Sequence, residues 1–190
     1  MSLHDPAVKI TDAEQALTYL KEGNARFVSG ELSAKDNYAD IRNTLSSGQQ
    51  PFAIVLCCAD SRVAPELYFD MKFGDIFVIR NAGNVVDDVV LGSIEYGAEH
   101  LGSPLVVVLG HTKCGAVTAT VQGGEVPPNI GEIVKRIKPS VGGDTVVDEV
   151  AKKNAKAMAE QIAADEIIKH CGTKVVPAIY DITSGEVIWL

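Results

Sequence analysis

The chain has 190 residues, 46% apolar and 22% charged, a globular balance that excludes a disordered polymer and suits one domain rather than two large cores. Seventeen Lys+Arg against 25 Asp+Glu give a formal net charge of −8, and no basic run offsets it, so nucleic acid is excluded as a partner. The longest purely apolar stretch, Phe52–Ala59, falls far short of the roughly 20 residues that span a bilayer, and Met1–Ile10 lacks the pattern of a secretory signal; no membrane partner and a cytoplasmic location are expected.

The first predicted element is a helix opened by Thr11-Asp12-Ala13-Glu14, which reads as a capping box, and carrying Leu17, Leu20 and Phe27. Residues 1–30 are expected to form an N-terminal helical arm that packs on a neighbour. Phe52–Cys58 and Ile76–Arg80 read as strands. From Asp87 to about Leu101, Val90, Ile94 and Ala98 recur at four-residue spacing on one helix face. A third strand, Leu105–Leu109, leads into a short helix near Cys114–Val121. Gln122–Asn129 and Lys138–Thr145 are rich in Gly and Pro and read as loops. The longest helix is expected from Val147 to His170, with Val147, Val150, Ala151, Ala155, Met158 and Ile162 as its apolar stripe and a solvated Lys/Glu face opposite. Val175–Tyr180 reads as a fourth strand and Glu186–Leu190 as a fifth at the edge.

None of these strands alternates cleanly with polar residues, and continuous apolar runs mark parallel strands covered on both faces. The predicted fold is therefore α/β, a mostly parallel β-sheet flanked by helices, with a single domain over residues 1–190.

Four cysteines, Cys57, Cys58, Cys114 and Cys171, with no secretory signal expected, speak against a disulfide framework and for metal or catalytic use. Cys58-Ala59-Asp60-Ser61-Arg62 follows the first strand. In extended chain Cys58 and Asp60 share one side, and Cys57 points to the other. The third strand runs into Gly110-His111-Thr112-Lys113-Cys114-Gly115, where His111 and Cys114 stand three apart on a turn that opens a helix. Ligands so spaced can converge on one ion, and a helix N-terminus favours the thiolate of Cys114. Both segments lie beyond the carboxyl ends of strands, where open α/β sheets carry their sites. Two thiolates and an imidazole suit zinc; Asp60 can complete the tetrahedron or leave the fourth position to water. Cys57 and Cys171 read as packing residues, and Arg62 as a partner for Asp60.

These motifs resemble the β-class carbonic anhydrases. The resemblance extends through Gly23-Asn24-Ala25-Arg26-Phe27-Val28, Arg80-Asn81-Ala82-Gly83-Asn84, Gly92-Ser93-Ile94-Glu95-Tyr96-Gly97-Ala98 and the ending Ala178-Ile179-Tyr180-Asp181 to Ile188-Trp189-Leu190. It implies the reversible hydration of carbon dioxide to bicarbonate and a proton, on zinc held by Cys58, His111 and Cys114. Asp60 is then a fourth ligand in a closed form or, paired with Arg62, orients the zinc-bound hydroxide in an open one. The resemblance also implies substrate contacts from the side chain of Gln49 and the backbone N–H of Gly115, apolar walls at Phe77 and Ala82, and a pocket tyrosine, Tyr96, often contributed across a dimer interface. A homodimer or homotetramer is expected, with the N-terminal helix lying on the partner. Ala59 stands where the family often has Ser. Because Trp189 is the only tryptophan, the bicarbonate-regulated switching of some family members is not expected.

Three other readings bear on the same residues. A carbon disulfide or carbonyl sulfide hydrolase would share the zinc motif and differ in access to the pocket. A cysteine-dependent hydrolase using Cys58 with His111 would survive removal of zinc. A zinc-stabilised binding module would have no need for a charged Asp60–Arg62 pair beside an open coordination position.

Overall fold

The computed structural model describes residues 9–33 and 38–190. Five strands form one sheet: β1 (Ala53–Cys58), β2 (Ile76–Asn81), β3 (Leu105–His111), β4 (Lys174–Tyr180) and β5 (Val187–Trp189). Their order is β2-β1-β3-β4-β5; the first four are parallel, and β5 returns antiparallel to β4. β1 and β3, the strands with the longest apolar runs, are buried along their whole lengths, as expected of parallel strands covered on both faces. β2 keeps an equally apolar run, Ile76-Phe77-Val78-Ile79, but these residues are only half-buried at the edge of the sheet.

Helices cover both faces. On one side lie α4 (Asp88–Glu95), α5 (Gly115–Gln122), α6 (Pro128–Val141), α7 (Val147–Ala164) and α8 (Glu166–Cys171), which meet Ile54, Leu56, Val106 and Val108 of the sheet. On the other, α1 (Ala13–Ser29) and α3 (Pro65–Tyr68) cover Val55, Cys57, Val107 and Leu109. A further short helix, α2 (Tyr38–Thr44), precedes β1. No helix among the described residues is long and apolar enough to cross a membrane.

Residues 1–8 of the expected arm lie outside the described residues. Its helix, α1, buries Ala16, Leu17 and Leu20 in the core of its own chain. Asn24 fastens it there: its Nδ2 donates to the carbonyls of Tyr68 (3.0 Å) and Gly185 (2.8 Å), and its Oδ1 accepts from Val187 N (2.8 Å). Gly23 permits that approach, since a Cβ there would come within 1.8 Å of the Phe69 carbonyl oxygen.

Four expectations need correction. The α1 cap is Asp12, whose side chain accepts from Gln15 N, so Thr11 and Glu14 do not form the expected box. Lys138–Val141 is the last turn of α6 rather than loop: Pro128 sits in the first turn, where its missing N–H costs nothing, and Pro139 comes too late to stop the helix before Gly142 ends it in a left-handed conformation. The long helix is broken at Asp165, which takes an extended conformation and caps α8 through the amides of Ile167 and Ile168. The Asp87-capped helix ends as α-helix at Glu95 and continues through Tyr96–His100 as a wider π turn.

Candidate metal centre

β1, β2 and β3 end side by side. Cys58, the last residue of β1, lies opposite Asn81, the last of β2, and β3 carries its ladder on to His111. After His111 the chain turns at Lys113 in a left-handed conformation (φ 56°), and Cys114 takes the position just before α5. Asp148 of α7 steadies this turn by accepting from Lys113 N at 2.7 Å. The strand ends and the turn bring the ligand atoms of Cys58, His111 and Cys114 within 4.8 Å of one another, all three residues buried. Among the described residues, no fourth His, Cys, Asp or Glu belongs to this group.

The chemistry of this group fits a metal. Nδ1 of His111 lies 2.9 Å from the Thr112 carbonyl oxygen, which can only accept, so Nδ1 carries the proton and Nε2 presents a lone pair. That Nε2 is buried with no hydrogen-bond partner among the described residues, an arrangement that leaves it poised as a ligand beside two sulfurs. The thiol of Cys58 is drawn down, mainly by its hydrogen bond with Cys114, which outweighs the opposing effect of burial; the amide of Gly83 also donates to its sulfur at 3.4 Å. The same hydrogen bond pushes Cys114 up. Neighbouring Cys57 points into the other core, and burial pushes its thiol up to about 12, as befits a packing residue.

Asp60 and Arg62 lie at the rim. Oδ1 of Asp60 accepts from Arg62 N and Nε, both at 2.9 Å, and Oδ2 accepts from Nη2 at 2.7 Å. This fork holds the Asp60 carboxyl well below the usual carboxylate range. Arg62 Nη2 also reaches the Lys113 carbonyl at 3.5 Å, tying the two motif-bearing turns together. Asp60 does not belong to the group of three that converges at the centre.

Other expected site residues divide into two sets. Ala82 follows Asn81 directly and so stands at the Cys58 end of the sheet, and Gly115 is the first residue of α5, with open space where a Cβ would lie. Gln49, Phe77 and Tyr96 are not brought to this end. Phe77 lies opposite Ile54, four positions before Cys58, or roughly 13 Å back along the strand at about 3.3 Å per residue. Tyr96 is exposed, with its ring 6.2 Å from that of Phe77. Gln49 lines a surface hollow with Leu45 and Gly74, before the start of β2.

Sequence reasoning missed the residues that hold the centre from behind. Arg80 at the end of β2 donates from Nε to the Cys58 carbonyl (3.1 Å) and from Nη2 to the Asp60 carbonyl (2.8 Å), fixing the backbone that carries both side chains. Its signal was a charge ending an apolar strand. Asn154 of α7, completely buried, donates to the Gly83 carbonyl at 3.0 Å. Its signal was an amide within the apolar stripe, four residues from both Val150 and Met158.

A family model described as carbonic anhydrase matches residues 53–187. Carbonic anhydrase 2 of Mycobacterium tuberculosis is 40% identical over 192 residues, spanning 94% of this chain and 93% of its own. Among solved structures, the β-carbonic anhydrase CafA of Aspergillus fumigatus is 26% identical and superposes with a TM-score of 0.75 over 93% of this chain and 89% of its own. A tetrameric β-carbonic anhydrase of Sordaria macrospora, 23% identical, shares the fold with a TM-score of 0.77 over 93% of this chain and 97% of its own. The matched segment contains the four parallel strands and both motifs that meet at the buried Cys-His-Cys group, and the chain belongs to the β-carbonic anhydrases, a family of metal-dependent enzymes that hydrate carbon dioxide.

Proposed function

We propose that this chain hydrates carbon dioxide with zinc held by Cys58, His111 and Cys114, and that Asp60, paired with Arg62, orients the attacking oxygen. The observation that carries the reading is the unpartnered Nε2 of His111 facing two sulfurs in a buried pocket, a borderline-soft donor set that suits zinc. When bound there, zinc supplies Lewis acidity, lowering the pKa of a coordinated water from 15.7 towards about 7.

The remaining work falls to the chain's own groups. Asp60, held ionised by Arg62, can accept hydrogen bonds but not donate them. It therefore accepts a hydrogen bond from the nucleophilic oxygen and so turns a lone pair of that oxygen towards the carbon dioxide carbon. The Gly115 amide, at the start of α5, is offered to a substrate oxygen as negative charge develops on it, where the helix N-terminus favours an anion. Ala82 supplies apolar wall on the Cys58 side.

Gln49, Phe77 and Tyr96 belong to the same reading through a second copy of the chain. β2 is an open edge with half-exposed apolar residues, and Phe73 and Tyr96 are exposed close to it. Two copies related by a two-fold axis and joined antiparallel along β2 bring the start of one β2 next to the end of the other. The substrate residues of one copy then meet the metal centre of its partner. A homodimer, alone or within a tetramer, is the assembly this favours. A cytoplasmic location belongs with it, because thiolate ligands persist most readily in a reducing compartment.

The test is stopped-flow carbon dioxide hydration on protein of measured metal content. About one zinc per chain is expected, with hydration that rises with pH, disappears on chelation and returns when zinc is restored. Zinc bound without hydration at alkaline pH overturns the reading, and carbon disulfide is then the substrate to try.

A further inference from the structure

We infer that Asn154 is a positioning residue for the metal centre, acting through the Gly83 peptide on the Cys58 sulfur; the inference rests on the reading of Cys58, His111 and Cys114 as metal ligands. Asn154 is completely buried on the face of α7 that otherwise carries Val150, Ala151, Ala155 and Met158. A polar side chain in such surroundings is costly unless its hydrogen bonds are met, and only half of this one is. Its Nδ2 donates to the Gly83 carbonyl at 3.0 Å, whereas its Oδ1 has no hydrogen-bond partner among the described residues. An apolar residue of similar volume would suit the packing better, so the single bond to Gly83 accounts for an amide at this position.

Gly83 is in turn joined to the centre, since its N–H donates to Cys58 Sγ at 3.4 Å. The residue adopts a left-handed conformation (φ 77°), and a Cβ would lie 2.8 Å from Ile137 Cδ1 and 3.1 Å from Ala116 Cβ. Its N–H and its carbonyl belong to successive peptide planes joined at a Cα with no side chain, so a freed carbonyl would let the glycine drift from the left-handed φ that aims its N–H at the sulfur. Asn154 holds the carbonyl. The flanking loop is tied independently: Asn81 exchanges two hydrogen bonds with Val85, and Val86 N donates to Met158 Sδ at 3.3 Å. Asn154 is thus the side chain that addresses the residue donating to Cys58, and Met158, one turn further along α7, addresses a different part of the same loop. Hydrogen bonds to a ligating sulfur set how much charge it gives the metal, and outer partners of this kind change metal affinity about 10- to 100-fold.

Asn154→Leu keeps the branched heavy-atom shape and removes the donor, and Asn154→Ala removes it without adding bulk. The readouts are metal affinity by competition against a chelator, the thiolate-to-metal charge-transfer band of the cobalt-substituted protein, and hydrogen exchange at the Gly83 amide measured without metal. Expected in both variants are a folded protein, metal binding about 10- to 100-fold weaker, a shifted band and faster Gly83 exchange. Met158→Leu is the control and should leave all three unchanged. A folded Asn154→Leu with unaltered affinity, band and exchange overturns the proposal. So does Met158→Leu moving them equally, since the effect would then be general loosening, and so does loss of folding in both Asn154 variants. Wild-type protein that binds neither zinc nor cobalt would instead bring down the reading of the metal centre itself.

Discussion

At the scale of single residues, Asp60 and Arg62 form an exposed charged pair that would ordinarily contribute little to stability, because solvent screens it. The value of the pair lies in direction. Arg62 contacts both carboxylate oxygens and pins them beside the strand end that carries Cys58, and Arg80 fixes the backbone beneath. Asp60→Asn preserves shape but puts an NH2 group before the donors of Arg62, so the fork loses one of its acceptors. We expect that variant to bind metal as the wild type does, since Asp60 is not among the three converging residues, and to lose about 100-fold in carbon dioxide hydration. Stopped-flow rates normalised to zinc content check both halves. Retained activity would remove Asp60 from the reaction. Because the Asp60 carboxyl lies below the usual carboxylate range, it stays ionised throughout the neutral region, and a change in rate there reports a different group.

At the scale of elements, the sequence was clearest where one physical cause dominated. The runs Ala53–Cys58 and Leu105–Leu109 are apolar because both faces are covered, and they become the buried strands β1 and β3. α6 carries Ile130, Ile133 and Ile137 at helical spacing, with Ile137 fully buried, but the proline and glycine at its two ends are loop signals that outweigh this pattern in the sequence. The reading of one helix from Val147 to His170 failed for the opposite reason: apolar periodicity continued smoothly across a local break. Asp165 decides it, because its Oδ1 accepts from Ile167 N at 2.9 Å and Ile168 N at 3.1 Å, an arrangement available only if Asp165 itself leaves the helix. Asp165→Ala should therefore cost about 1 kcal/mol of stability, measured by chemical denaturation, with metal content unchanged because α8 is remote from the ligands. A neutral result would mean that the α7–α8 corner is set by packing of Ile162 and Ile168 rather than by the cap.

At the scale of the whole molecule, the metal ligands gather at one end of the sheet with Ala82 and Gly115, whereas the other expected substrate residues, Gln49, Phe77 and Tyr96, lie away from that end. Cys58, His111 and Cys114 were legible because motif and strand end coincide. For Gln49 and Phe77 the division was not legible, because a single sequence shows which residues suit a pocket but not which end of the sheet they reach; only Tyr96 was marked, through the family resemblance. The register separates them along the sheet: Phe77 pairs with Ile54 while Cys58 pairs with Asn81. If two copies share their sites along β2, damage to the two ends should complement. Asp60→Asn spoils the end that carries the metal, and a Gln49→Ala/Tyr96→Ala double variant spoils the end offered to the partner. Each protein alone should hydrate carbon dioxide poorly while binding metal, since all three ligands come from one chain. Dissociated and reassociated as an equal mixture, half of the dimers pair one chain of each kind, and each such dimer has one intact site of two. Activity should then return to about a quarter of the wild-type rate, the value that random pairing in a two-fold dimer gives. Exchange must be verified by mass, using chains of different isotopic composition. Mixed dimers that form without any recovery would show that Gln49 and Tyr96 do not serve a neighbouring centre, and the open edge of β2 would need a different explanation.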